Sequence, residues 1–282
     1  MRSFLHRESF RSISSRYRAI FFDAFGVLNC GSGVLDGVPE ALGWLRAEGK
    51  PYWLVTNDAS LTPRQIAARY GGELFSEQQI VCSGLLAMEY MRRHLAGKNT
   101  AFLGTPDSEY YIRGAGNPVV PLSATEPGER PDVFVLTDEG GFDWRDGLTR
   151  VVNAFGHRPE VPLLAPNPDL LFLQKEGELG IGVGALSLML EKILGRKVLR
   201  FGKPDPVIFN HALEKARVVL GKLSPREVLM VGDNLLTDIR GAAGCGMDSL
   251  LVLSGNTSAE RMAGEIARAG IAPTYVADSI AG

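Results

Sequence analysis

Four short polar segments contain the side chains best suited to chemistry, and each follows an apolar run that predicts a β-strand. In chain order they are Asp23, the pair Thr56-Asn57, Lys203, and Asp233 followed by Asp238. A carboxylate at a strand end is exposed where it can attack a substrate or bind a metal ion. The hydroxyl and the amide can donate hydrogen bonds to an oxyanion, and the lysine adds a fixed positive charge.

The joint order of these segments says more than any one of them. A lone strand-terminal aspartate more often caps a helix or turns the chain, and a lone lysine is usually solvated. Together the segments supply a nucleophile, oxyanion donors, a cation and oxygen ligands for a divalent metal. Because Mg²⁺ prefers oxygen ligands and a phosphoryl group needs positive charge around it, the set predicts a Mg²⁺-dependent phosphoryl site.

Alternating strand and helix patterns predict how these segments are positioned. They indicate an α/β fold with a parallel sheet, in which ligands bind at the carboxyl ends of the strands. The predicted strands of this sheet are 19–22, 52–55, 198–201, 228–231, 249–253 and 274–276. A second set, at 100–104, 133–137 and 161–165, predicts a smaller α/β lobe inserted into the larger one.

The predicted domain boundaries follow from this pattern. Residues 1–84 form the first part of the core, 85–182 the inserted cap, and 183–282 the second part of the core. One interpretation of the arginine-rich arm 1–18 is a targeting peptide. We favour an amphipathic helix packed on the core, because Phe10, Ile13 and Tyr17 are spaced i, i+3, i+7.

Composition excludes several classes of protein. Lys and Arg number 30 against 32 Asp and Glu, a formal net charge of -2, which argues against nucleic-acid binding and against disorder. Cys30, Cys82 and Cys245 lack the spacing of a disulfide framework or a zinc site, so we expect reduced thiols and a cytoplasmic location. No apolar run approaches the roughly 20 residues of a membrane span.

The four motifs, taken in order, resemble those of the haloacid dehalogenase superfamily, most of whose members are Mg²⁺-dependent phosphatases. The long insertion between Asn57 and Lys203 is similar to class IIA, which includes nucleotide, pyridoxal, phosphoglycolate and nitrophenyl phosphatases. Segments 165–169, 195–197, 232–239 and 246–248 support the resemblance. It implies a Rossmann-like core with an α/β cap, a small phosphorylated metabolite as substrate, and pairing through the caps into a homodimer.

The resemblance also implies a role for each motif residue. Asp23 is expected to be the nucleophile that becomes an aspartyl-phosphate, with Thr56 and Lys203 as catalytic partners. The residues expected to hold the substrate are Thr56, the Asn57 backbone, Lys203, and Asn167 and Asp169 from the cap. The expected Mg²⁺ ligands are Asp23, the backbone carbonyl of Phe25, and Asp233, with Asp238 supporting the metal site.

Phe25 departs from the family pattern, because family phosphatases have a second aspartate there. That acid protonates the leaving oxygen and then activates water, contributions of about 10²- to 10⁴-fold. Without another acid, turnover should depend steeply on leaving-group acidity, and Phe25→Asp should raise it on alkyl phosphates. Asp169 and Glu139 of the cap are candidate replacements.

Three interpretations of the Phe25 departure stay open. The chain is a slow or specialised phosphatase, a phosphate-ester binding protein, or a dehalogenase. The third is weakened by the position of the cap and by the paired acids Asp233 and Asp238, which favour a retained metal. We favour the phosphatase.

Overall fold

The computed structural model describes residues 8–126, 128–175 and 178–281. The helices are α1 Phe10–Ser14, α2 Val38–Ala47, α3 Pro63–Arg69, α4 Ser83–His94, α5 Glu109–Gly114, α6 Trp144–Phe155, α7 Val183–Leu194, α8 Pro206–Leu220, α9 Arg240–Gly244 and α10 Met262–Ala269. The strands are β1 Ala19–Phe22, β2 Asn29–Cys30, β3 Gly33–Val34, β4 Tyr52–Thr56, β5 Ile80–Cys82, β6 Thr100–Leu103, β7 Val133–Leu136, β8 Leu163–Leu164, β9 Leu171–Lys175, β10 Glu178–Ile181, β11 Val228–Gly232, β12 Asp248–Val252 and β13 Tyr275–Ala277.

The large sheet has the strand order β13-β12-β11-β1-β4-β5, and each neighbouring pair is parallel. Alternate side chains of β1 pack on opposite faces, Phe22 in one apolar cluster and Phe21 in the other. Helix α8 covers the second face with Phe209 and Ala212. Because both faces are covered, the strands are largely apolar, as is usual for a parallel sheet. The predicted α/β class with a parallel sheet is confirmed.

A second, smaller sheet is formed by β6, β7 and β8, all parallel. Helices α6 and α7 pack on one face, with Val151 and Leu186 in a shared cluster. Helices α4 and α5 pack on the other through Met91 and Ile112. The hairpin β9–β10 follows this sheet in the chain. The cap is therefore a three-layer α/β unit, while the boundaries at 84/85 and 182/183 stay a prediction.

Segment 198–201 is a correction to the predicted strands. Over the described residues it makes only an isolated bridge, Leu199 to Leu164, at the edge of the small sheet. Its apolar residues are used in packing instead, since Phe201 contacts clusters on both sides. The sequence pattern also missed β5 and the hairpin β9–β10, which are short or interrupted by polar residues.

Helix α1 belongs to the core rather than to a detached arm. Phe10 and Ile13 are fully buried and pack in the main cluster with Tyr17. Lys50 Nζ donates to the carbonyl oxygens of Ser14 and Ser15 at 2.9 and 2.7 Å, which closes the helix C-terminus. The rest of the predicted arm, residues 1–7, lies outside the described residues. Within the described ranges, no helix is long and apolar enough to cross a bilayer.

Candidate active site

The carboxyl ends of β1, β4 and β11 meet at one edge of the large sheet, and each ends in a motif residue. Asp23 directly follows β1, and its amide donates to the Val231 carbonyl of the neighbouring strand at 2.9 Å. Gly26 has φ of 79°, and a Cβ there would lie 2.1 Å from Asp233 Oδ2. A glycine is required here because the turn after β1 passes directly over the carboxylate that follows β11.

Three carboxylates form a compact cluster at this edge. One oxygen from each of Asp23, Asp233 and Asp238 lies within 4.8 Å of the others. Lys203 Nζ lies 2.5 Å from Asp23 Oδ1 and 2.8 Å from Asp238 Oδ1. Burial alone would lower the pKa of Lys203, but the Asp23 and Asp238 charges raise it above the ordinary value. The lysine is therefore a buried cation held between two of the three acids.

Asp233 has one satisfied and one unsatisfied oxygen. Oδ2 accepts from the amide and the side chain of Asn256 at 2.6 and 2.9 Å. Oδ1 is buried and has no hydrogen-bond partner in the described part of the chain. Burial, followed by the charges of Asp23 and Asp238, raises the pKa of Asp233 well above its ordinary value. An unpartnered carboxylate oxygen beside two further carboxylates is a suitable place for a divalent cation, so the residues fit Mg²⁺.

Asn57 joins the core motifs to the cap. Its Oδ1 accepts from the Lys203 amide at 2.6 Å, and its Nδ2 donates to Asp169 Oδ1 at 2.8 Å. Asn167 Oδ1 in turn accepts from the Asp169 amide at 2.8 Å. Thr56 Oγ1 accepts from the Asp58 amide at 3.2 Å. The structure therefore brings the predicted substrate-binding residues to one place, although their contact with a substrate stays a prediction.

Phe25, where the resemblance predicts an acid, packs against aromatic and cationic groups. Its ring centroid lies 6.1 Å from that of Phe172 on β9, at an interplanar angle of 74°. The Arg69 guanidinium lies 5.4 Å from the centre of the same ring. Position 25 therefore contributes packing between the core and the hairpin of the cap, and its side chain has no proton to transfer.

A cavity lies between these motifs and the cap. Asp23, Phe25, Thr56 and Asn167 are among the residues that line it. Four further acids also line it, namely Asp58, Asp138, Glu139 and Asp169. Burial is the main cause that raises the pKa of Glu139 to about 7 and that of Asp169 to about 6.

Sequence reasoning missed Asn256, Asp58 and Asp138 at this site. Asn256 follows β12, so the rule that ligands gather at strand ends pointed to it. Asp58 and Asp138 lie directly beyond β4 and β7, and the same rule applies to them. No charge or spacing pattern separates these residues from ordinary turn residues.

Comparison with known proteins supports the fold and the motifs. A family model described as haloacid dehalogenase-like hydrolase matches residues 20–117, and one described as HAD-hydrolase-like matches 200–282. The chain is 30% identical to a glycerol-3-phosphate phosphatase of Gallus gallus, over 98% of this chain and 94% of the relative.

Two solved structures resemble the whole chain. One is a possible sugar phosphatase of the HAD superfamily from Cytophaga hutchinsonii, with 36% identity, a TM-score of 0.91 and 99% of both chains covered. The other is a glycerol phosphate phosphatase from Mycobacterium tuberculosis in complex with magnesium, with 26% identity and a TM-score of 0.75. That match covers 95% of this chain and 77% of the other.

The chain therefore belongs to the haloacid dehalogenase-like hydrolases. Within them it falls among the class IIA phosphatases, the phosphoric monoester hydrolases whose cap is inserted between the second and third motifs. The resemblance predicted from the four motifs is confirmed at this level.

Proposed function

We propose that the protein hydrolyses small phosphate monoesters in a Mg²⁺-dependent reaction that passes through an aspartyl-phosphate on Asp23. The observation that carries the proposal is the buried lysine between Asp23 and Asp238, next to an unpartnered oxygen of Asp233. A nucleophilic carboxylate, a fixed cation and a set of oxygen ligands are the parts that phosphoryl transfer requires. The phosphatase relatives support the same substrate class.

Each side chain then has a definite task. A carboxylate oxygen of Asp23 attacks phosphorus, and the bond to the leaving oxygen breaks. Lys203 offsets the negative charge of Asp23 and of the phosphoryl oxygens. The Thr56 hydroxyl and the backbone amide of Asn57 donate hydrogen bonds to those oxygens. Asn167 and Asp169 approach the substrate from the cap.

The Mg²⁺ ligands are proposed to be Asp23, the Phe25 backbone carbonyl and Asp233, with Asp238 supporting the site. A magnesium complex of a relative is consistent with this set. When bound, the ion neutralises the charge that develops on the phosphoryl group. The carbonyl of residue 25 is available whatever its side chain, so Phe25 leaves this ligand in place.

Phe25 favours a second function, binding of phosphate esters with little turnover. The two functions are separated by measuring phosphate release from a panel of metabolite phosphates, with Mg²⁺ and with a chelator, beside the intact mass of the protein. Release that requires Mg²⁺ and that Asp23→Asn abolishes supports the phosphatase. Saturable binding of the same esters without release supports the binding protein.

Three further features stay predictions of the sequence: a cytoplasmic location, pairing into a homodimer, and the absence of nucleic-acid binding. Halide release from a haloacid, without phosphate release, would support the dehalogenase alternative.

A further inference from the structure

The cavity wall holds four carboxyl groups besides those of the core cluster, and three of them already accept hydrogen bonds from other residues. Asp58 Oδ1 accepts from the amide and the hydroxyl of Ser60, both at 2.7 Å. Asp138 Oδ1 accepts from the Gly140 amide at 2.7 Å. Asp169 Oδ1 accepts from Asn57 at 2.8 Å. These three carboxylates shape loops and join the two domains.

Glu139 is the fourth carboxyl group, and it differs from the others. Among the described residues, no side chain donates a hydrogen bond to its carboxyl group, which interacts with its own backbone amide. Its backbone, in contrast, is firmly held, since Trp144 Nε1 donates to the Glu139 carbonyl at 2.5 Å. The side chain is therefore presented to the cavity on a fixed loop without a partner of its own.

The loop around Glu139 is closely packed against the turn that follows β6. Gly141 has φ of 82°, and a Cβ there would lie 2.3 Å from the Gly104 carbonyl oxygen. The Gly140 amide is bound by Asp138, as described above. Both contacts restrict the loop, so the place of Glu139 in the wall of the cavity that Asp23 also lines is a property of the cap fold.

We propose that Glu139 is the general acid and base that replaces the aspartate missing at position 25. This inference rests on the proposed phosphatase function. As Asp23 attacks phosphorus and the ester P–O bond breaks, the Glu139 carboxyl group gives its proton to the leaving oxygen and the alcohol departs. Glu139 then takes a proton from water, the water oxygen bonds to phosphorus, and the P–O bond to Asp23 breaks. Phosphate leaves, Asp23 returns to a carboxylate, and Glu139 is again protonated.

The electrostatic surroundings of Glu139 suit this task. Burial and then the neighbouring charge of Asp138 raise the pKa of Glu139 to about 7, so the acid and the base are both populated near neutral pH. Asp58 from the loop after β4 and Asp169 from the loop before β9 add smaller effects in the same direction. Among the described residues, the charged groups that shift the pKa of Glu139 are thus all negative and favour its protonated form.

The test compares wild type with Glu139→Gln on two substrates in the presence of Mg²⁺. Glycerol 2-phosphate has a poor leaving group, whereas 4-nitrophenyl phosphate has one that needs no proton. For Glu139→Gln, kcat/KM should fall about 10²- to 10⁴-fold on glycerol 2-phosphate and change little on 4-nitrophenyl phosphate. Because water activation is also lost, 4-nitrophenyl phosphate should give a burst of one nitrophenolate per protein, then slow turnover.

The pH profile supplies a second readout. For wild type, kcat/KM on glycerol 2-phosphate should fall as pH rises through about 7, because Glu139 must carry its proton in the first step. The Glu139→Gln protein should not show this fall of kcat/KM with rising pH. The matched control is Glu160→Gln, at a largely exposed side chain of the same cap. It should leave kcat/KM on both substrates unchanged.

The outcomes separate this inference from the proposed function. If wild type releases phosphate from both substrates and Glu139→Gln behaves like wild type, Glu139 is not the acid, while the phosphatase stands. An equal loss of kcat/KM on both substrates without a burst also overturns the inference, because it indicates a role in binding or structure. If wild type with Mg²⁺ releases phosphate neither from these two substrates nor from the metabolite panel, the phosphatase function itself is wrong.

Discussion

The carboxyl cluster of the core and the carboxyl groups of the cap meet at the same cavity, but only the core cluster is built around a cation. In the core, Asp23 and Asp238 lie against the Lys203 ammonium, and Asp233 accepts two hydrogen bonds from Asn256. In the cap, Glu139 has neither a cation nor a side-chain donor among the residues described. Burial raises the pKa of Asp233 and Asp238 as it raises that of Glu139, but among the described residues only the core cluster has a cation beside it.

This difference shows how carboxyl groups of one site can serve both as the nucleophile and as the acid. A carboxylate stays charged where positive charge compensates for burial, and it becomes a proton donor where burial is uncompensated. Four variants test whether the contrast is real.

Asp23→Asn should have the largest effect, since the amide cannot attack phosphorus. We expect phosphate release to fall by roughly 10⁴-fold or more, measured on the metabolite panel. Intact mass should show no phosphorylated protein. The control is Asp36→Asn, at an exposed position of the core domain, which should release phosphate as wild type does. Residual turnover close to wild type would mean that another residue is the nucleophile.

Lys203→Met tests the core side of the contrast by removing its cation. The buried acids then lose their compensating charge, and the free energy of unfolding should fall by about 3–5 kcal/mol in urea titrations without metal. Addition of Mg²⁺ should restore part of the loss, since it supplies positive charge at the same cluster. A Lys203→Met protein as stable as wild type would contradict the role of the lysine as the compensating cation.

Glu139→Gln tests the cap side through stability rather than rate. The pKa of Glu139 rises from an ordinary 4.5 to about 7 in the folded state. Between those values the unfolded chain releases a proton that the folded chain keeps, so wild type loses stability as pH rises. The neutral glutamine escapes this loss and should be more stable by about 3 kcal/mol at pH 8, and equal at pH 4. Thermal unfolding at both pH values checks this, and equal stability at pH 8 would contradict it.

Phe25→Asp should have the smallest effect, and it is most informative in a Glu139→Gln background. There it should raise kcat/KM on glycerol 2-phosphate about 10-fold above that of Glu139→Gln alone, because an acid is again within reach of the leaving oxygen. In the wild-type background the gain should be small, since Glu139 already donates. A large gain in wild type would instead show that no acid serves the site.

The sequence predicted the convergence of Asp23, Lys203, Asp233 and Asp238, because polar residues at the ends of parallel strands must meet at one edge. Lys203 reaches the site even though its predicted strand is absent, since the Asn57 side chain holds its backbone. The Phe25–Phe172 contact could not be predicted. It depends on how the hairpin β9–β10 docks on the core, which no local pattern records.

The same limit explains Glu139. The sequence shows an acid before two glycines, and acids in loops are usually solvated. Only the packing of Trp144 and β6 determines that this one faces a cavity. Propensity and spacing thus locate charged residues along the chain. Whether a charged group is buried, and whether a cation or a hydrogen-bond donor lies beside it, depends on tertiary contacts.

The seating of α1 has a consequence for processing of the chain. Phe10, Ile13 and Tyr17 lie in the main core cluster, and the end of the helix is held by Lys50. A protease that removed residues 1–18 would uncover apolar surface beside β1 and leave Lys50 without its carbonyl acceptors. Such a cut would therefore destabilise the core and favour aggregation.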